Sequence, residues 1–285
     1  MNILFCGDSY IENGVLIAVL SLLKQTDQKI NVYILTASLE TEQKNYVAVS
    51  KQFKEFLEGV LKEKNSRSRA FVIDITEIFK NQLPVNNMNT RFTPMCMLRL
   101  FADLVDGLLD KILYLDNDVI IRKDINGLYS TDISDFEICG VLDYYGSLFF
   151  KKHVLKRDYL NSGVLLLNMS KIRKSGLFSR CRAMCDAKKM FMPDQSALNK
   201  LAVKKTVARK FNEQRKLKDD TVIQHFTTSF RFFPIFKMVS VKPWQVEKMH
   251  SELKLFEYDD ILNEFLRYRE NYYEYKKGNT NFLFG

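Results

Sequence analysis

Lys111-Ile112-Leu113-Tyr114-Leu115-Asp116-Asn117-Asp118-Val119-Ile120-Ile121 sets an apolar strand directly before two carboxylates one residue apart, and a second apolar run follows them. Strand interiors disfavour Asp, and a buried carboxylate without a partner costs several kcal/mol. Two of them at a strand's end therefore point to a bound cation rather than to packing. Their hard oxygens suit Mg²⁺ or Mn²⁺, ions that keep some waters and add phosphate oxygens. A turn with two solvated Asp residues is the plainer alternative for this segment in isolation.

Outward from that strand the pattern alternates. Residues 2–6 form a short apolar strand, 12–24 a helix apolar on most faces, and 30–36 a second strand rich in β-branched and aromatic residues. Ser38 reads as an N-cap, with Thr41 and Glu42 opening a helix through about 57. Residues 58–69 look like an exposed loop, 70–75 a third strand, and 94–105 a helix that starts at Pro94 and carries Arg99. Further strands fall near 137–142, 163–167 and 221–226, with helices near 176–189 and 194–201 and a basic stretch over 204–220. This order argues for an α/β fold with a mostly parallel sheet covered by helices on both faces.

At 285 residues, 46% apolar and 27% charged, the chain is globular, with room for one large α/β domain or two small ones. Its apolar runs are short and interrupted, and the N-terminus lacks a basic n-region and reaches Asp8 too soon for a signal peptide. A cytoplasmic protein is expected, with peripheral docking on the inner face of a membrane left open. The five cysteines (6, 96, 139, 181 and 185) show no CxxC spacing, so neither disulfides nor structural zinc are expected. The net charge of +9 is concentrated. Residues 151–218 hold 19 Lys/Arg against Asp158, Asp186, Asp194 and Glu213, an excess of 15 that leaves −6 for the remainder. Such a face suits an anionic membrane or a phosphorylated acceptor, unless it is a solvated lysine-rich surface. Zinc-finger spacing and RNP-like aromatics are missing, so nucleic acid is not expected.

Five segments stand in order: Phe5-Cys6-Gly7-Asp8-Ser9-Tyr10; Leu98-Arg99-Leu100; Tyr114-Leu115-Asp116-Asn117-Asp118; Leu160-Asn161-Ser162-Gly163-Val164-Leu165-Leu166-Leu167-Asn168; and Pro193-Asp194-Gln195-Ser196-Ala197-Leu198-Asn199. His225 and Lys242-Pro243-Trp244 extend the series. Over about residues 1–245 the chain resembles the retaining glycosyltransferases of family 8, which include bacterial α-galactosyl and α-glucosyl transferases of surface polysaccharides and the glycogenins. The resemblance implies a GT-A fold: one Rossmann-like nucleotide-binding domain over 1–250 with a mixed, mostly parallel sheet, then a helical appendage over 251–285. It implies a metal-dependent enzyme of bacterial surface polysaccharide or glycoprotein synthesis. Such an enzyme moves galactose or glucose from a UDP-sugar to a glycan, lipid-linked or glycoprotein acceptor in α linkage.

The same resemblance implies roles. Asp116, Asp118 and His225 would ligate Mn²⁺ or Mg²⁺, the histidine through a neutral imidazole nitrogen, and Asp116, Asn117 and Asp118 would hold the donor diphosphate. Asp8 follows a strand's carboxyl end, where open α/β sheets bind nucleotides, and would accept the uracil N3–H. Tyr10 would stack on the base, or is a half-buried aromatic. Arg99, on an otherwise apolar helix, needs an anionic partner: Asp194 or the donor sugar, or else an internal ion pair with another Asp. Asn161 would fix sugar hydroxyls, with Gly163 permitting close backbone approach. Asp194 would hold donor hydroxyls. The Gln195 carbonyl would lie on the β-face of the anomeric carbon and stabilise an oxocarbenium-like centre, with departure and attack on one face. Asp143 matches the acceptor-side carboxylate, a turn Asp being the alternative. Lys242 would neutralise the diphosphate, although the aromatic insertion over 226–241 leaves Arg231 or Lys237 as competitors for that role and itself reads as an acceptor lid or a membrane-touching loop.

The tail places Ile261, Leu262, Phe265, Tyr268, Tyr272 and Tyr275 at three- and four-residue steps. The aromatic side of that helix either enters a lipid interface or packs on the catalytic domain. A catalytically silent relative using its basic face as a membrane- or polyanion-binding scaffold is the other functional class. Intact Asp116, Asp118, His225, Asp194 and Gln195 favour the enzyme.

Overall fold

The alternation becomes a seven-stranded sheet in the computed structural model, which describes residues 1–42, 44–88, 94–144, 158–231 and 237–278, with Phe230, Arg231 and Lys237 by backbone alone. The strands are β1 Asn2–Cys6, β2 Asn31–Thr36, β3 Leu39–Glu40, β4 Asn45–Tyr46, β5 Arg69–Asp74, β6 Lys111–Leu115, β7 Val119–Ile121, β8 Ile138–Leu142, β9 Leu160–Asn168, β10 Lys204–Thr206, β11 Ile223–His225, β12 Ser229–Arg231 and β13 Lys237–Val239. The α-helices are α1 Glu12–Leu23, α2 Lys51–Lys64, α3 Thr76–Lys80, α4 Asn126–Tyr129, α5 Met169–Ser175, α6 Leu177–Ala187, α7 Pro193–Leu201, α8 Val246–Ser251 and α9 Asp259–Lys276. The large sheet runs β10-β8-β9-β6-β1-β2-β5, and β9 alone runs antiparallel to its neighbours.

Side-chain alternation divides the core. Ile3, Phe5, Leu113 and Leu115 face the layer of α1, α2 and α9, while Leu4, Ile112 and Tyr114 face the 3₁₀ helix Pro94–Leu104 with α6 and α7. Helix α1 buries eleven of its twelve residues because it is covered on both sides. The sheet lies on one side and α9 on the other. Ile261, Leu262, Phe265 and Tyr272 of α9 join the same core, with the Tyr272 ring 5.3 Å from Phe53 and its hydroxyl donating to Glu12 at 2.9 Å. The aromatic side of the tail is thus used in protein packing rather than left for lipid. No helix among the described residues is long and apolar enough to cross a membrane.

Two expected elements differ. The helix expected from Ser38 starts instead at Lys51, capped by Ser50, whose hydroxyl accepts the Phe53 amide at 3.0 Å. The hydroxyls read as that helix's cap and first turn are committed to turns instead: Ser38 accepts from Ala48 at 3.0 Å, and Thr41 bonds Lys44, closing the β3–β4 hairpin. The expected loop 58–69 begins as helix, because Val60 and Leu61 extend the buried stripe of Phe53, Phe56 and Leu57. The 226–241 insertion contains the β12–β13 hairpin, and its residues 232–236 lie outside the described residues. So do the side chains of Arg231 and Lys237.

Candidate active site

Strand register brings the site together. Parallel pairing of Leu4 with Tyr114 puts the end of β1, and hence Asp8, at the same sheet edge as Asp116. Antiparallel pairing of Leu115 with Val164 sets the start of β9, Asn161 to Gly163, beside it. In the small ladder, His225 pairs with Val119, and the Phe226 amide donates to the Asp118 carbonyl at 2.9 Å. Ligand atoms of Asp116, Asp118 and His225 lie within 4.8 Å of one another.

Arg99 is buried and links both carboxylate groups of the site. Its Nη2 donates to Asp116 Oδ1 at 3.0 Å, its Nε lies 3.2 Å from Asp194 Oδ2, and its Nη1 donates to the Ser162 carbonyl at 2.6 Å. Both ion-pair alternatives for Arg99 are therefore realised. Tyr114 stacks under the guanidinium at 4.2 Å and donates its hydroxyl to the same Asp116 oxygen at 2.6 Å. With Oδ1 saturated, Asp116 Oδ2 is left to face His225 Nε2 at 3.6 Å. Burial pushes the Asp194 carboxyl above the usual range, with Arg99 opposing it.

A chain of amides fixes the histidine. The Gly163 amide donates to Asn161 Oδ1 at 3.0 Å, and Asn161 Nδ2 donates to Asp143 Oδ2 at 2.9 Å, so the Asn161 amide has one orientation. Asn212 Nδ2 donates to that Asn161 oxygen at 2.9 Å, which turns Asn212 Oδ1 onto His225 Nδ1 at 3.1 Å. The Nδ1 nitrogen must then carry the proton, and the Nε2 lone pair points at Asp118 Oδ1, 2.9 Å away. A lone pair facing two carboxylates calls for a cation. Asp118 Oδ1 is buried and accepts no hydrogen bond among the described residues. A Cβ on Gly163 would stand 2.1 Å from His225 Cε1 and 2.7 Å from Asp116 Oδ2, so only glycine leaves the space open. Burial lowers the His225 pKa, but the two carboxylates outweigh it and the net shift is upward. The Asp118 carboxyl is raised by burial and, more strongly, lowered by Lys242 and His225. These residues fit a divalent cation with N/O preference.

Lys242 Nζ bonds Asp118 Oδ2 and donates to the Phe226 carbonyl at 3.0 Å, so this lysine reaches Asp118 across the insertion. Asn117 faces α1, where a Cβ on Gly14 would lie 2.3 Å from its carbonyl oxygen. Asp194 and Gln195 open α7. Gln195 Oε1 accepts from the Ser162 amide at 2.9 Å and its hydroxyl at 3.1 Å, while Nε2 reaches Asp143 Oδ2 at 3.3 Å. Asp8 is buried and Tyr10 is 67% exposed. Lys44 stands 3.9 Å over the Tyr10 ring and 3.8 Å from Asp8 Oδ2, an oxygen without a hydrogen bond. Burial raises the Asp8 carboxyl, opposed by Lys44. Ser162, Asn212, Tyr114 and Lys44 had no sequence-derived role. Ser162 sits inside a quoted motif, whereas Asn212 gives no local signal because its partners are remote in sequence.

The family model described as glycosyl transferase family 8 matches residues 2–245. The chain belongs to that family. Among curated relatives of this family 8 chain, the glycosyltransferase GlyA of Streptococcus pneumoniae serotype 4 is 28% identical over 144 residues, covering 50% of this chain and 20% of that protein. A Haemophilus influenzae relative is 23% identical over 187 residues, covering 63% of this chain and 52% of its own length. The chain thus spans about half or less of these relatives. The galactosyltransferase LgtC, solved in complex with donor and acceptor sugar analogues, superposes with a TM-score of 0.67 at 20% identity, over 93% of this chain and 95% of LgtC. GlyE of Streptococcus pneumoniae TIGR4 gives 0.61 at 19% identity, over 92% and 63%. The likeness in fold is that of GT-A glycosyltransferases.

Proposed function

We propose that this family 8 chain is a metal-dependent retaining hexosyltransferase that moves galactose or glucose from a UDP-sugar to a glycan acceptor in α linkage. The observation that carries the reading is the His225 Nε2 lone pair, fixed by Asn212 and aimed with Asp116 and Asp118 at one small space kept open by Gly163. Asp116, Asp118 and His225 would hold Mn²⁺ or Mg²⁺, which when bound supplies positive charge for the donor diphosphate.

The chain's own residues supply the rest. The Asp8 oxygen just beyond β1, which accepts no hydrogen bond among the described residues, is a fitting acceptor for a base N3–H. Lys242, already on Asp118, adds a cation where the leaving group's charge develops. Asp194, anchored by Arg99, and Asn161, anchored by Asp143, are rigid partners for sugar hydroxyls. Gln195 is held at both ends of its amide, a preorganised dipole for an electron-deficient anomeric carbon rather than a nucleophile. Departure and attack on the same face keep the α configuration.

The test is a donor-hydrolysis and transfer panel across UDP-sugars with Mn²⁺, repeated with EDTA and with Asp118→Asn. UDP release from UDP-galactose or UDP-glucose, lost with EDTA and in a folded Asp118→Asn protein, is the expected result. Turnover that survives both sinks the metal assignment, and a β-linked product by NMR sinks the retaining mechanism.

A further inference from the structure

The described cations of the basic stretch 151–218 take no part in the Asp116, Asp118 and His225 site. Several of its cations are engaged by the fold: Arg173 lies 3.3 Å from Asp110, Lys204 3.2 Å from Asp158, and Arg182 bonds Asp103. Others, such as Lys174 and Lys188, stand in solvent. Arg209 and Arg215, half-buried and exposed, have no carboxylate partner among the described residues. Both guanidiniums gather on Tyr144, with Cζ at 5.7 Å and 4.3 Å from the ring centroid, and Arg215 Nη1 donates to the Tyr144 hydroxyl. Arg209 Nη1 is buried without a hydrogen-bond partner among the described residues. The neighbouring carboxylate, Glu213, is turned elsewhere: it accepts the backbone amide of Arg215 at 3.1 Å and lies 3.5 Å from Lys218.

This pair adjoins the site. Tyr144 directly follows Asp143, and its amide donates to Gln214 Oε1 at 2.9 Å. Asn212, midway between the two arginines, holds both His225 and Asn161. Two cations drawn together without a carboxylate partner among the described residues repel each other. Arginine is also the side chain suited to two-point capture of phosphate or carboxylate. We propose that Arg209 and Arg215, gathered on Tyr144 beside Asp143, hold a phosphate or carboxylate of the acceptor, so that the acceptor is an anionic glycan. The proposal rests on the transferase reading above.

Ligand-observed NMR tests it, with glucose, glucose 6-phosphate and glucuronic acid as probes in the presence of UDP and Mn²⁺. The wild-type protein is compared with Arg209→Gln and Arg215→Gln, the latter at an exposed side chain whose replacement spares the core. A charged sugar should bind at least about tenfold more tightly than glucose, and each variant should lose about that factor, as removal of a charge-assisted hydrogen bond does. Preference for glucose 6-phosphate assigns a phosphate source, and preference for glucuronic acid a carboxylate source. Equal binding of charged and neutral sugars, including binding of none, overturns the proposal, as does a preference that survives in Arg215→Gln. UDP binding by the wild-type protein is read in the same samples, and its absence strikes the transferase reading instead.

Discussion

Replacing Asn212 by Leu removes the amide's donor and acceptor while keeping the branching of the side chain. In the wild-type protein the Asn212 oxygen holds the Nδ1–H of His225 at 3.1 Å, so in the neutral imidazole Nε2 is the unprotonated nitrogen facing Asp116 and Asp118. Without that acceptor the imidazole gains by moving its proton to Nε2, which lies 2.9 Å from Asp118 Oδ1. A hydrogen bond to a charged group contributes about 1.5–3 kcal/mol, and a divalent ion must break it to bind. Mn²⁺ affinity should therefore fall by roughly 10- to 150-fold, in line with the loss usual for partners that orient a metal-binding histidine. Calorimetric titration with Mn²⁺ in the presence of UDP reads the affinity, and ¹⁵N chemical shifts of the imidazole read the tautomer. Asn212→Asp keeps the acceptor and should keep most of the affinity. A folded Asn212→Leu protein that binds Mn²⁺ within about threefold of wild type refutes the tautomer argument.

Two other expectations follow from the same charges. The raised folded pKa of His225, against 6.5 unperturbed, means that the metal-free protein has its full His225 contribution to stability below about pH 6.5 and loses it as pH rises through the folded value. Mn²⁺ affinity should run the opposite way, climbing about tenfold per pH unit up to that value and then levelling; urea melts and Mn²⁺ titrations over about pH 5.5–8.5 check both, and flat profiles refute them. Arg99→Leu leaves Asp116 and Asp194 without their buried counter-ion and should cost about 3–5 kcal/mol in urea unfolding. That loss should shrink at low pH, where protonated Asp194 needs no partner; an equal loss at pH about 5 and 8 would refute the role of charge.

Much of the fold was legible because its elements are continuous apolar runs bounded by polar residues. Residues 2–6, 12–24 and 111–115 each carry a pattern that one geometry alone can bury. The helix after Ser38 was misread because a serine hydroxyl caps a helix and closes a turn equally well. Only the tertiary partner, the Ala48 amide, decides between them. In the site, Asp116, Asp118 and Arg99 stand out as charged groups in apolar runs, and the structure brings them together with His225, Asp194, Gln195 and Asn161. Asn212 was invisible for a physical reason: its partners lie 13 and 51 residues away, and neither pairing leaves a periodic trace. Arg209 and Arg215 appeared only as members of a basic stretch, since sequence alone does not say which cations lack a carboxylate.

The packing of α1 against α9 sets a timetable for synthesis. Helix α1 is complete at Leu23, yet the helix that covers its outer side ends at Lys276. At about 5–20 residues per second a ribosome needs about 10–50 s to cross that interval. Throughout it the emerging chain carries an almost wholly apolar helix, half of whose final surroundings have not been made. Closure of this domain therefore waits for the synthesis of α9, and until Phe265 is made the outer side of α1 lacks its cover.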